Sequence, residues 1–163
     1  YRPSSGRITI DGVDINKFAV EEYWKNIGAV FQEFIQYPFD VNHNIGFGCV
    51  EKGFDSECIK DAAKKSGAYE FVSKLKNGFE TNLKKGWEES TQLSLGQWQK
   101  IAISRVFMED FPILVLDEPT ASVDARTEYE LYNKIKMLIN DRTCILISHR
   151  LSTVKLVNTI FVL

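Results

Sequence analysis

The chain has little of what several specialised architectures require. Its three cysteines, Cys49, Cys58 and Cys144, are widely spaced and odd in number, with no Cys-x-x-Cys pair. That excludes a disulfide framework, and with only His43 and His149 to join them it excludes a zinc site as well. The thiols read as small buried or half-buried side chains of a reducing compartment. No apolar run approaches the roughly twenty residues needed to cross a bilayer, and no signal-peptide pattern opens the chain. Neither sign of charge dominates, since 20 Lys and Arg stand against 22 Asp and Glu. The basic residues are scattered rather than blocked, so neither a polyanion-binding surface nor a nucleic-acid partner is expected. Internal repeats and low-complexity segments are also lacking.

What remains is ordinary globular material. With 163 residues, 44% of them hydrophobic, the chain suffices for one domain, or part of one, with a real core. It opens on Tyr1 without a methionine and closes on Ile160-Phe161-Val162-Leu163, which reads as an interrupted strand. The expectation is an internal fragment of a longer protein.

Strand and helix patterns alternate. Arg7-Ile8-Thr9-Ile10 leads into the tight turn Asp11-Gly12. Ala19 to Asn26 predicts a short helix, and Ile27 to Phe31 an apolar strand. Phe34 to Asn44, interrupted by Pro38, predicts irregular chain. Asp55 caps a predicted helix over Ser56 to Lys65 that Gly67 ends. A second helix is expected over Ala68 to Leu75, ended by Asn77-Gly78, and a third from Ser94 to about Met108. Ile113 to Leu116 predicts a buried strand. Thr127 to Ile139 predicts an amphipathic helix with Leu131, Ile135, Leu138 and Ile139 on one face. Thr143 to Ser148 predicts a strand, Leu151 to Leu156 a short helix, and Asn158 onward another strand. Such alternation implies a mostly parallel sheet, and the helix-rich middle reads as a separate subdomain.

Two stretches carry the chemistry. Ile113-Leu114-Val115-Leu116 ends in Asp117-Glu118-Pro119-Thr120. Polar groups at the carboxyl end of a buried parallel strand lie where open α/β sheets bind ligands. Two adjacent acids there divide the labour. Asp117 can hold magnesium, and Glu118 can orient or deprotonate an attacking water. The second stretch is Leu93-Ser94-Leu95-Gly96-Gln97-Trp98-Gln99-Lys100. Ser94 with Gln97 three residues on is a capping box. A helix start presents free N–H groups to an anion, Gly96 permits close backbone approach, and Ser94 adds a hydroxyl donor.

Together, and in this order, the two stretches resemble the signature loop and Walker B strand of ATP-binding cassette (ABC) proteins. The resemblance runs over essentially the whole chain and is to the nucleotide-binding domain of an ABC exporter. Val30-Phe31-Gln32 resembles the Q-loop, with Gln32 sensing magnesium and the transmembrane domain. Asn44-Ile45-Gly46-Phe47-Gly48 resembles the segment that follows it in exporters. Thr81 to Glu89, with Gly86, loosely matches the X-loop. Ser122-Val123-Asp124 resembles the D-loop, which contacts the partner domain, and Ile147 to Thr153 the switch region. The end of the signature, Gln97-Trp98-Gln99-Lys100, is similar to exporters of bacterial peptides and lantibiotics.

The resemblance implies an α/β fold of the P-loop NTPase kind, with a mostly parallel sheet core and a helical subdomain. Residues 1–48 and 110–163 would form the core and 49–109 the helical subdomain. It implies ATP and magnesium, with catalytic Glu118 and His149, and Gln32 and Asp117 at the metal. Gln32, Ser94, Gly96, Gln97, Asp117, Asp124 and His149 would meet the nucleotide. His149 would hold the γ-phosphate. The implied partners are a second nucleotide-binding domain, identical or different, and a transmembrane domain on the same full-length chain, at the cytoplasmic face of the membrane. The rival readings are a soluble ABC ATPase acting on ribosomes or nucleic acid, a catalytically degenerate domain, and an importer subunit.

This chain departs from the family pattern twice. Leu95 stands in the signature where glycine is usual, and its β-carbon would restrict the backbone and crowd the place of the opposite nucleotide. No Gly-x-x-x-x-Gly-Lys-Ser/Thr loop occurs. Because every later motif is present, the gap reads as truncation rather than decay.

Overall fold

A computed structural model describes residues 3–84, 86, 90–119, 131, 133–137, 139, 142–150 and 157–162. The expected D-loop with Asp124, the helix at 151–156 and much of that at 127–139 lie outside the described residues.

The first strands form a small hairpin, β1 (Thr9–Ile10) antiparallel to β2 (Val13–Asp14). Asp11 and Gly12 turn the chain at φ 48° and 80°. Two successive positive φ values match the twist of paired strands, and Asp-Gly tolerates them. Helix α1 (Val20–Trp24) follows. Strands β3 (Ile27–Val30), β4 (Ile113–Asp117) and β5 (Thr143–Ile147) then build a parallel sheet in the order β3-β4-β5. Gly28 lies opposite Leu114, and Leu114 opposite Cys144. This is the parallel α/β architecture expected from the alternation of elements.

Between β3 and β4 lie the helices α2 (Val41–Gly46), α3 (Ser56–Ser66), α4 (Tyr69–Val72) and α5 (Leu95–Val106). Their ends follow local chemistry. The Asp55 carboxylate accepts from the N–H groups of Glu57 and Cys58, at 3.0 and 2.8 Å. Gly67, at φ 78°, stops α3 in the left-handed conformation that glycine adopts freely. At α5, Ser94 accepts from the Gln97 N–H while the Gln97 side chain accepts from the Ser94 N–H, a complete capping box.

Three expectations need correction. Residues 34–44 are not irregular throughout, because Asp40 caps α2 by accepting from the His43 N–H at 2.8 Å. Pro38 lies far enough upstream to leave this helix untouched. The helix expected over 68–75 shortens to Tyr69–Val72, since Phe71, Lys74 and Leu75 donate to carbonyls three residues back, as in turns. Residues 157–162 form no strand, and Phe161 and Val162 are almost fully exposed. An apolar run becomes a strand only where a neighbour takes up its backbone groups.

Two apolar clusters hold the described residues together. One gathers Val41, Ile45, Ile59, Val72, Trp98 and Ile101 among the helices. The other joins the sheet residues Val30, Leu114 and Leu116 to Ile103, Val106, Leu131 and Ile135. Helix α5 serves both, so most of its residues from Trp98 to Val106 are buried, Gln99 and Ser104 among them. Each fully buried aliphatic side chain here contributes about 1.5–3 kcal/mol.

Candidate functional site

The parallel sheet brings three of the singled-out segments to one edge. Because β3, β4 and β5 run the same way, residues just beyond their carboxyl ends share that edge. Gln32 follows β3, Asp117 ends β4, and His149 follows β5. Asp117 lies opposite Ile147 in the ladder. Glu118 then leaves the strand at φ 44°, with its N–H donated to the carbonyl of Ile147 at 3.0 Å. A left-handed conformation is costly for a residue with a β-carbon. Here it turns the Glu118 carboxylate toward His149, whose Nδ1 lies 2.7 Å from Oε1. The imidazole is largely exposed and the carboxylate mostly covered. Gln32 is exposed.

The start of α5 has different neighbours. Ser94 and Gln97 bond to one another, and Gly96 is half-buried beside them. Leu95 is 50% exposed in the first turn of the helix. Leu95 also borders a groove of about 490 Å³ between the loop at Gln36, Tyr37 and Pro38 and the start of α5 at Leu93 and Trp98. Among the described residues, no hydrogen bond joins Ser94 or Gln97 to Asp117, Glu118 or His149.

Two buried polar groups, Gln99 and Asn44, have partners that their motifs in the sequence did not indicate. Gln99 donates from Nε2 to the carbonyl of Pro119. Asn44, fully buried, donates to the carbonyls of Tyr37, Phe39 and Asp40 and accepts from the Tyr37 N–H. Arg105 donates to the carbonyl of Asn44 at 2.8 Å and to its Oδ1 at 3.1 Å, and its guanidinium lies 4.8 Å from the centre of the Tyr37 ring. Burial pulls the Arg105 pKa below its ordinary value. Gly48 permits this contact, because a β-carbon there would stand 2.1 Å from the Arg105 carbonyl. The available signal was polarity on an apolar helix, since Gln99, Ser104 and Arg105 interrupt α5.

A parallel sheet with paired acids and a histidine at its carboxyl edge, in a chain whose α5 opens with Ser-x-Gly-Gln, fits the pattern of the ATP-binding cassette family. The chain belongs to the ABC transporter family, whose model matches residues 1–121, and membership implies nucleotide binding. It is similar to the ATP-dependent lipid A-core flippase of Alcanivorax borkumensis, with 34% identity over all 163 residues and 27% of that protein. It is also similar to ABC transporter B family member 1 of Dictyostelium discoideum, 39% identical over the same length and 17% of that protein. A solved bacterial Atm1-family ABC exporter with ATP bound superposes with a TM-score of 0.82 at 33% identity, covering 94% of this chain and 26% of that one. The chain thus spans about a quarter or less of the length of these relatives.

Proposed function

We propose that this chain is the ATP-hydrolysing part of an ABC exporter and couples ATP hydrolysis to movement of a substrate across a membrane. The observation that carries the reading is the convergence of Asp117, Glu118 and His149 at one sheet edge, with Glu118 held 2.7 Å from His149. Glu118 is the general base that takes a proton from the attacking water. His149 orients the Glu118 carboxylate and, through its other ring nitrogen, reaches the γ-phosphate. Asp117 and Gln32 fit magnesium, which takes one or two protein carboxylates and completes its shell with water and phosphate oxygens. When bound, the metal neutralises charge on the β- and γ-phosphate oxygens.

Ser94, Gly96 and Gln97 serve a second nucleotide-binding domain. The dipole of α5 and the close backbone approach that Gly96 allows suit the phosphates of a facing subunit. Asp124 contributes to the same contact. Within this arrangement, residues 49–109 act as the helical subdomain, between core segments 1–48 and 110–163. The groove at Tyr37 and Trp98 suits a helix of the membrane domain, and that fit supports a position at the cytoplasmic face of the membrane.

The test is ATP turnover by the full-length parent in lipid. Glu118→Gln is expected to keep ATP binding, trap the closed dimer and reduce turnover by about two to four orders of magnitude. Activity within about twofold of the unmodified protein would overturn the assignment of the base.

A further inference from the structure

Gln99 is an amide on a buried helix face. It is 3% exposed, in the second turn of α5. A carbonyl can only accept, so the contact with Pro119 requires the NH₂ end of the amide to face it. The Oε1 end is buried without a hydrogen-bond partner among the described residues. An amide buried with half of its capacity unused is a poor way to fill space, and an apolar side chain of that length would avoid the desolvation cost. The donor end is therefore what the position requires.

The acceptor explains why. Pro119 has no N–H, so its carbonyl is the backbone group by which Pro119 itself can be held. The preceding hold is the Glu118 N–H on the Ile147 carbonyl. The two bonds grip the chain on either side of a residue in a left-handed conformation.

We propose that Gln99 is a positioning residue for the hydrolytic reaction. Holding the Pro119 carbonyl, it fixes the turn that aims the Glu118 carboxylate. It thereby ties that carboxylate to the helix that carries Ser94, Gly96 and Gln97 at its start. The proposal rests on the reading of Glu118 as the base.

The experiment is steady-state ATP hydrolysis by the full-length transporter in lipid, with Gln99→Leu and Gln99→Glu beside the unmodified protein and Glu118→Gln. Turnover retained in Glu118→Gln overturns the reading of the base itself. With that variant inactive, the Gln99 variants test this proposal alone. Gln99→Leu is expected to lower kcat by about tenfold or more with KM for ATP within about twofold, because only the positioning of the base is lost. Unchanged kcat, or a fall in kcat matched by a rise in KM and loss of thermal stability, overturns it. Gln99→Glu supplies a readout that mere packing would not move. A neutral carboxyl donates to the Pro119 carbonyl and a carboxylate cannot, and burial raises the pH at which the proton leaves. The ratio of its kcat to that of the unmodified protein should rise as pH is lowered. A flat ratio overturns the proposal, even if Gln99→Leu fails to fold.

Discussion

Nδ1 of His149 lies 2.7 Å from Oε1 of Glu118, although 31 positions separate the two residues. The contact exists because β4 and β5 are parallel neighbours in register, Asp117 opposite Ile147. Both side chains therefore leave the sheet at the same edge. A carboxylate beside an imidazole is a base with an orienting partner, the relation that general-base chemistry needs. His149→Ala in the full-length parent is expected to lower kcat on the order of a hundredfold while ATP still binds. Steady-state ATPase rates with a separate nucleotide-binding assay measure this, and a rate near that of the unmodified protein would remove His149 from the site.

Leu95 projects from the first turn of α5 and is half exposed. If it crowds the nucleotide held by a facing subunit, Leu95→Gly relieves the crowding with little helix cost at so terminal a position. Hydrolysis or ATP-driven dimerisation should then rise by roughly threefold, a barrier change under 1 kcal/mol. An unchanged rate together with unchanged dimer affinity would show the leucine to be neutral.

Asn44 serves the backbone of residues 37–40 and the buried guanidinium of Arg105 at once. Asn44→Ala leaves several carbonyls and a charged donor without their partner. The expected loss is about 2–4 kcal/mol, because each orphaned buried group costs about 1–3 kcal/mol and the surroundings relax in part. Chemical denaturation should show a lower midpoint at unchanged slope. A loss below about 0.5 kcal/mol, the scale of an ordinary surface change, would mean that water replaces the asparagine.

The backbone N–H of Cys58, with help from that of Glu57, holds the Asp55 carboxyl below its ordinary pKa. Its pKa is thus lower folded than unfolded. The stabilisation is complete above the unfolded value and is lost as pH falls through the folded one. Asp55→Asn keeps an acceptor that does not titrate. Amide exchange in α3 should show the native protein better protected near neutrality, with the advantage shrinking as pH drops below about 4. A constant difference across that range would disprove the linkage.

Much of this was legible from residue types and spacing. Asp55, Gly67, the Ser94–Gln97 box and the Asp11-Gly12 turn were readable because each satisfies backbone groups within four positions. Asp117, Glu118 and His149 were readable because apolar strands ending in polar residues place those residues at the sheet edge. Helix α2 was not, since Pro38 drew attention to a break and a six-residue helix has almost no periodicity. The terminal run at Ile160 looked like a strand because apolar β-formers say nothing about whether a partner lies alongside.

The sequence by itself determined most of the strands and helices, the caps of α3 and α5, and which residues follow the apolar strands at their carboxyl ends, since these depend on local hydrogen bonding and on hydrophobic period. Only the tertiary structure decided that Gln99 meets Pro119, that Asn44 meets Arg105, and that Glu118 takes a left-handed turn toward His149. Those contacts join residues 20, 61 and 31 positions apart. A polar side chain on a buried face announces that it needs a partner, but which carbonyl or ring arrives opposite it follows from how the helices close over the sheet.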